Sequence, residues 1–412
     1  MPVFVESRSA LAGAGRLVLG SSLTVWPAQL QAALVKVTGK GWELRIELIA
    51  YGWVDLPENL LPSADQPFHP ATDLHSQPAL AELQAQLVLD LCSAVGLPPS
   101  QLLTVGVYDS GGWAFREQTP VGYWPLCDAT RLAERTGLSV IDAFSARDLA
   151  QGGLGGPLLA MPTWFLLRHP HRNRLILELG GAFRLTYLPA GLDRDSLEQV
   201  LSFDVGPGWQ LIDRLERQHA EALRNLPQPW TAAGHIRGTL IERWLAQPAL
   251  HQPLPRWQSS GVSPVDFLKT AADHAAPAAD QLRSALHFLA EAVRLARVNH
   301  LPPDPIDEVI LTGPVRRHEL LQEELKRCFG QVPLVPLDDL GLADPAFEPA
   351  QAALLAMFFL DQIPCNLPSV TGVDVPRVLG RLTPGAPSNW MRLVKELAES
   401  KGTLMSLRSA LS

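Results

Sequence analysis

Cysteine is scarce in this sequence, and its placement argues against two kinds of stabilised site. The chain has four cysteines in 412 residues, at positions 92, 127, 328 and 365. No two of them have the close spacing of a zinc site, and they are too few and too scattered to form a disulfide framework. We therefore expect reduced thiols in a cytosol-like compartment, and hence a cytoplasmic protein.

Long apolar runs and an excess of positive charge are also missing. No stretch reaches the roughly 18 apolar residues that a membrane helix needs, and the N-terminus lacks the basic and apolar regions of a secretory signal. The chain carries 34 Lys and Arg residues against 42 Asp and Glu residues, a net charge of −8. Because nucleic acids bind basic patches, we expect neither a nucleic acid nor a membrane as a partner.

The composition that remains is that of a globular protein. Hydrophobic residues make up 47% of the chain and charged residues 18%, over a length that accommodates two domains. Strand-like segments alternate with amphipathic helices such as 278–299, and paired strands are expected at 16–23 with 42–51 and at 175–179 with 183–188. The pattern predicts an α/β protein with two domains that each begin with a hairpin.

The segment around Asp204 is a candidate anion site. An apolar strand, 200–203, leads into Asp204 and then into Gly206-Pro207-Gly208, which we expect to form a turn before a helix. A helix N-terminus presents backbone N–H groups to anions. The alternative is an ordinary strand–turn–helix connection with Asp204 as a surface acid. Further glycines at expected strand ends, at positions 20, 180–181 and 313, mark other candidate ligand turns.

Several segments, in the same order along the chain, resemble the anhydro-N-acetylmuramic acid kinases. Residues 204–208, DVGPG, resemble that family's DTGPG, and residues 133–158, AERTGLSVIDAFSARDLAQGGLGGPL, are similar to its ARTG…DFRxxDxAxGGxGAPL segment. Residues 366–372, NLPSVTG, match the family's closing motif. The resemblance covers most of the chain, from about position 20 to about position 380.

The resemblance implies a fold and an activity. The expected fold is α/β, with two actin-like (ribonuclease H-like) domains and a cleft between them. We expect domain I at 1–143 plus about 361–385, domain II at 144–360 and a C-terminal helical tail at 386–412. The implied activity is phosphorylation of 1,6-anhydro-N-acetylmuramic acid, or a related anhydro sugar, by ATP with Mg²⁺. Hydrolytic opening of the anhydro ring then gives the 6-phosphate in peptidoglycan recycling, and the resemblance also suggests a homodimer.

The resemblance also assigns roles to particular residues. Asp204 takes the position of the catalytic base, and Arg147 and Asp148 take those of sugar-binding residues. The positions that would bind ATP and its phosphates are Gly20, Ser21, Ser22, Gly180, Gly181, Gly206, Gly208, Gly313 and Glu348. The metal ligands are not identified.

Departures from the family pattern leave two functions open. They fall in the first phosphate turn, the sugar pocket, the second phosphate turn and the adenosine loop, at Thr24, Val25, Tyr108, Arg184, Trp209 and Pro314. One hypothesis is a working but divergent anhydro-sugar kinase. The other is a pseudokinase that binds a sugar, a nucleotide or a protein partner without turnover.

Overall fold

The chain divides into two compact units in a computed structural model that describes residues 1–57, 60–62, 68–116, 119–224, 233–257 and 264–409. Unit 1 comprises Met1–Leu167 and Leu342–Ser412, and unit 2 comprises Arg168–Gly341. The expected boundaries after residues 143 and 360 therefore require correction. The reason is that the segments 144–167 and 342–360 belong to the core of unit 1, where Gln351 donates a 2.6 Å hydrogen bond to Thr163.

Both units are mixed α/β structures. The strands are β1 Val3–Val5, β2 Arg16–Thr24, β3 Gln29–Thr38, β4 Arg45–Asp55, β5 Thr104–Asp109, β6 Gly112–Arg116, β7 Thr119–Trp124, β8 Val140–Asp142, β9 Arg174–Leu179, β10 Ala182–Leu188, β11 Leu201–Pro207, β12 Glu308–Thr312, β13 Leu334–Pro336 and β14 Arg381–Thr383. The helices are α1 Pro70–Asp73, α2 Gln77–Val95, α3 Ala129–Thr136, α4 Phe144–Leu149, α5 Ala160–Leu167, α6 Arg194–Glu198, α7 Trp209–Gln218, α8 Ala220–Leu223, α9 Gly238–Leu245, α10 Pro264–His274, α11 Ala278–His300, α12 Glu319–Phe329, α13 Asp344–Leu360, α14 Pro368–Thr371 and α15 Pro387–Ser409. Within the residues described, no helix is both long and apolar enough to cross a membrane.

Unit 1 is built on a seven-stranded sheet with the order β1-β4-β3-β2-β5-β8-β14. The expected pairing of segment 16–23 with segment 42–51 is wrong, because β3 lies between β2 and β4 and pairs antiparallel with both. β3 is buried over almost its whole length. A strand buried on both faces shows no polar alternation, and the sequence pattern therefore did not reveal it.

Helix α13 lies against the backbone of this sheet. A Cβ atom at Gly20 would lie 1.7 Å from the carbonyl oxygen of Pro349, and one at Gly106 would lie 2.3 Å from that of Ala352. Such distances are far inside van der Waals contact, so only glycine permits this close approach of helix and strands. Gly20 is therefore required for packing.

The C-terminal helix α15 is docked on unit 1 at its N-terminal end. Buried Asn389 donates to the carbonyl oxygens of Leu102 and Leu103 at 3.1 Å and accepts from the backbone N–H and the hydroxyl of Ser139 at 2.8 and 2.7 Å. One turn further on, Leu393 is also buried. The expected tail 386–412 is thus an integral part of unit 1 over its first turns, and its residues 410–412 lie outside the described residues.

Unit 2 contains a five-stranded sheet with the order β11-β10-β9-β12-β13. β9 and β10 form the hairpin that the sequence predicted, and the predicted helix 278–299 is observed as α11. One face of the sheet packs on α11 through apolar side chains such as Leu177, Leu185 and Phe203. Because side chains alternate along strands, the other face carries a polar set, which comprises Glu178, Arg184, Thr186, Ser202, Asp204 and Thr312.

Candidate functional site

Three charged residues form a row across neighbouring strands of unit 2. Arg184 on β10 lies directly opposite Glu178 on β9 and opposite Asp204 on β11. Directly opposite residues project to the same face of a sheet, so the three side chains meet. The register of β10 against β11 shifts between Phe183 and Arg184, a β-bulge of the kind that re-aims side chains beside functional sites.

Asp204 is buried, and its carboxylate is held by Arg184. The Arg184 Nε donates to Asp204 Oδ1 at 2.8 Å, and Arg184 Nη1 lies 3.4 Å from Glu178 Oε2. The side chains of Asp204, Arg184 and Glu178 are 1%, 19% and 44% exposed, respectively. The alternative that Asp204 is an ordinary surface acid is therefore wrong.

Arg256 is a further residue at this site, and sequence reasoning missed it. Its Nε donates to the main-chain carbonyl of Asp204 at 3.0 Å, its Nη1 donates to Leu250 O at 2.8 Å, and its guanidinium lies 5.2 Å from the ring centroid of Phe203. Burial lowers the pKa of Arg256 to about 10, although the charge of Asp204 acts in the opposite direction. Arg256 thus fixes the backbone of Asp204, and no motif in the sequence marks it.

Glycine turns meet at one end of the same sheet. Gly180 and Gly181 connect β9 to β10, and a Cβ at Gly208 would lie 2.6 Å from Gly180 O. Gly313 follows β12 with φ +92°, and a Cβ there would lie 2.6 Å from Leu179 O. The structure therefore brings Gly180, Gly181, Gly208 and Gly313 together at this end of the sheet.

The N-terminus of α7 differs from the predicted anion site. The backbone N–H groups of Gly208 and Gln210 donate to Gly181 O at 2.8 and 3.2 Å, and that of Trp209 donates to Gly180 O at 3.0 Å. These donors hold the glycine turn and are not available for a phosphate. Gly206 and Pro207 continue strand β11 and pair with β10, so the expected Gly-Pro-Gly turn is also wrong.

The expected first phosphate turn requires a larger correction. Gly20, Ser21 and Ser22 lie inside β2 and are buried, and the turn follows at residues 25–28. Ser21 Oγ donates to Gln31 O at 3.0 Å and accepts from Gln84 Nε2 at 2.9 Å. Packing against α13 and pairing with β3 outweigh the turn preference of Gly and Ser, so these side chains are structural.

Asp148 connects the motifs 133–158 and 366–372 through hydrogen bonds. Its Oδ1 accepts from Asn366 Nδ2 at 2.8 Å and from Thr371 Oγ1 at 2.9 Å, and its Oδ2 accepts from Gly155 N at 2.7 Å. Burial raises the pKa of Asp148, and these hydrogen bonds lower it by less. Asp148 is fully buried, whereas its neighbour Arg147 is exposed, and sugar binding by these two residues stays a prediction.

Comparisons with known proteins agree with these motifs. The family model of the anhydro-N-acetylmuramic acid kinases matches residues 56–385. The chain is 31% identical over 364 residues to the anhydro-N-acetylmuramic acid kinase of Picosynechococcus sp., and the aligned region covers 86% of this chain and 95% of the relative. It is 30% identical over 389 residues to that of Gloeobacter violaceus, which covers 89% and 97%. This chain belongs to the anhydro-N-acetylmuramic acid kinase family.

Among solved structures, a ROK family glucokinase from Streptomyces griseus in complex with glucose and AMPPNP is similar over 82% of this chain and 98% of its own. The TM-score is 0.39 and the sequence identity is 14%.

Residues that depart from the family pattern have defined places in the structure. Thr24, at the end of β2, donates from its Oγ1 to Pro27 O at 2.6 Å and closes the following turn. Trp209 is the first residue of α7, and its ring centroid lies 4.7 Å from that of His318. Glu348, by contrast, matches the family pattern and lies half-buried on α13 of unit 1.

Proposed function

We propose that this protein is an ATP-dependent kinase of 1,6-anhydro-N-acetylmuramic acid that also opens the anhydro ring with water and so produces the 6-phosphate for peptidoglycan recycling. The observation that carries the proposal is the buried carboxylate of Asp204, anchored by Arg184 on its side chain and by Arg256 on its main chain, next to a cluster of glycines. Family membership supplies the chemistry for which this arrangement is suited.

The glycine cluster has space beside Gly180 in which a nucleotide phosphate would bind. A Cβ at Gly180 would lie no closer than 3.4 Å to another atom, which leaves room on that side of the turn. Arg184 supplies positive charge three residues after Gly181. Phosphoryl transfer depends mainly on positioning and on charge stabilisation, which the glycine turn and Arg184 would supply.

Magnesium is expected to arrive with the nucleotide. Among the residues that the structure describes, no three His, Cys, Asp or Glu side chains are grouped as metal ligands. Mg²⁺ is usually bound by phosphates, waters and one or two carboxylates, so we expect most of its ligands to come from the nucleotide and from water. When bound, the ion would neutralise phosphate charge.

Asp204 is the proposed general base. Its carboxylate would accept a proton from the water whose oxygen bonds to C1 of the sugar. As the C1–O6 bond breaks, O6 bonds to the γ-phosphorus, and the bond to the leaving ADP oxygen breaks with its electron pair. A positioned base of this kind contributes about 10²–10⁴-fold to the rate. Asp148 would act at a distance by fixing the loop that carries exposed Arg147.

The proposal includes further features that need their own measurements. Four free cysteines agree with a cytoplasmic location, which fractionation of cells that produce the protein would check. A homodimer, suggested by the family resemblance, would be detected by sedimentation velocity.

The kinase proposal is tested by ADP release from Mg-ATP with and without 1,6-anhydro-N-acetylmuramic acid. We expect sugar-dependent turnover in the native protein and a loss of about 10²-fold or more in Asp204→Asn. Asp273→Asn, an exposed acid in the same unit, is the matched control and should retain full activity. Nucleotide binding without turnover in the native protein would instead support a pseudokinase.

A further inference from the structure

Arg184 lies between two carboxylates that hold it with unequal strength. We infer that Arg184 is a phosphoryl-binding residue, which releases Glu178 and keeps Asp204 when ATP binds. The inference rests on the proposed function and adds to it a residue at which this chain departs from the family pattern.

The contact with Asp204 is the one that should persist. Its distance is 2.8 Å and its acceptor is 1% exposed. If Arg184 left, a buried carboxylate would lose a charged hydrogen-bond partner, which is unfavourable in a low-dielectric interior. Asp204 therefore anchors Nε of the guanidinium.

The contact with Glu178 is the one that should exchange. Arg184 Nη1 and Glu178 Oε2 are 3.4 Å apart, and the Glu178 side chain is 44% exposed. An ion pair that is both long and exposed contributes little, because water solvates its partners almost as well. A phosphoryl group carries more negative charge than one carboxylate and matches the planar guanidinium fork.

The position of Arg184 agrees with this exchange. It lies on β10 directly after the Gly180-Gly181 turn and Ala182-Phe183, on the same face of the sheet as Asp204. A cation there would lie beside both the base and the proposed phosphate turn. Arg184 would thus couple occupancy of the phosphate turn to the orientation of Asp204.

The experiment measures ATP and ADP affinities by isothermal titration calorimetry for the native protein and three variants. Glu178→Gln should tighten ATP binding about two- to fivefold, because a weak competitor for Arg184 is removed. Arg184→Asn should weaken ATP binding about 10- to 100-fold, with a much smaller effect on ADP, and Arg184→Lys should restore part of the loss. Glu198→Gln, which removes another exposed carboxylate paired with an arginine, is the control and should change nothing.

Two results would overturn the inference while leaving the kinase proposal intact. Weaker ATP binding by Glu178→Gln would show that Glu178 serves nucleotide or metal directly. An unchanged ratio of ATP to ADP affinity in a folded Arg184→Asn protein would show that Arg184 does not contact the γ-phosphoryl group. Absence of any nucleotide binding by the native protein would refute both proposals. Because Arg184→Asn removes a charged partner of buried Asp204, circular dichroism must confirm that this variant folds. If it does not fold, Glu178→Gln decides the question.

Discussion

Replacement of Asp148 should loosen the segment that carries the two most specific motifs. In Asp148→Asn, the amide oxygen can still accept from Asn366 and Thr371, but its NH₂ group must face the N–H of Gly155. That leaves the buried N–H of Gly155 without its acceptor and sets a second donor against it, which costs at least about 1–3 kcal/mol. Asp148→Ala leaves all three donors without this acceptor, and we expect a larger loss of about 3–5 kcal/mol.

The assay combines a global and a local measurement. The free energy of unfolding, measured by urea denaturation with circular dichroism, should decrease from the native protein to Asp148→Asn and further to Asp148→Ala. Hydrogen exchange with mass spectrometry should show faster exchange in both variants for peptides that contain Gly155. Asp273→Asn, an exposed acid, should change stability by less than about 0.5 kcal/mol. The reasoning is refuted if Asp148→Ala matches the native protein in stability and in exchange around Gly155.

The same residue gives a pH dependence with a definite sign. Burial raises the folded-state pKa of Asp148 above its usual value, so the folded protein binds this proton more tightly than the unfolded chain does. The resulting stability is fully present below the ordinary aspartate pKa of about 4 and is lost as pH rises through the folded-state pKa. Because Asn does not titrate, the stability gap between native protein and Asp148→Asn should narrow as the pH is raised. A gap that widens would contradict the assignment.

Two further predictions concern the core of unit 1. Gly20→Ala should destabilise the protein by several kcal/mol or prevent folding, because its Cβ would lie 1.7 Å from the Pro349 oxygen. The control is Gly238→Ala, whose Cβ would meet nothing within 4 Å; it should be neutral or stabilising by up to about 1 kcal/mol. Thermal unfolding of both glycine variants checks the two predictions. Asn389→Ala should loosen the start of α15 and cost about 2–4 kcal/mol, since Leu103 O and the donors of Ser139 lose their contacts with Asn389. Leu102 O keeps its contact with Arg392. Unchanged proteolysis of the C-terminal helix in that variant would show that Asn389 is not the anchor.

Local patterns predicted those parts of the fold that depend on neighbouring residues. The hairpin of β9 and β10 and the helix Ala278–His300 were predicted correctly because apolar periodicity and glycine turns are local properties. Gly180 and Gly313 lie close together, and the nucleotide roles that the family resemblance gives them stay predictions. Asp204 was also identified, although its partner Arg256 is separated from it by 52 residues and carries no pattern.

The failures have one physical cause, which is tertiary contact at long range. Gly20 was assigned to a phosphate turn because glycine favours turns, whereas the structure requires it for close contact with Pro349 on a distant helix. The hydrogen bond between Asp148 and Asn366, 218 residues away in the sequence, was likewise not predicted. Such contacts leave no periodic trace in a single sequence.

The most direct test of the kinase account is the identity of the reaction product. Purified protein, Mg-ATP and 1,6-anhydro-N-acetylmuramic acid would be incubated and analysed by mass spectrometry and ³¹P nuclear magnetic resonance. The account predicts a sugar phosphate monoester heavier than the substrate by one HPO₃ and one H₂O, formed in equal amount with ADP and strongly reduced in Asp204→Asn. Release of ADP with inorganic phosphate alone, or a phosphorylated sugar that keeps its anhydro ring, would contradict the account.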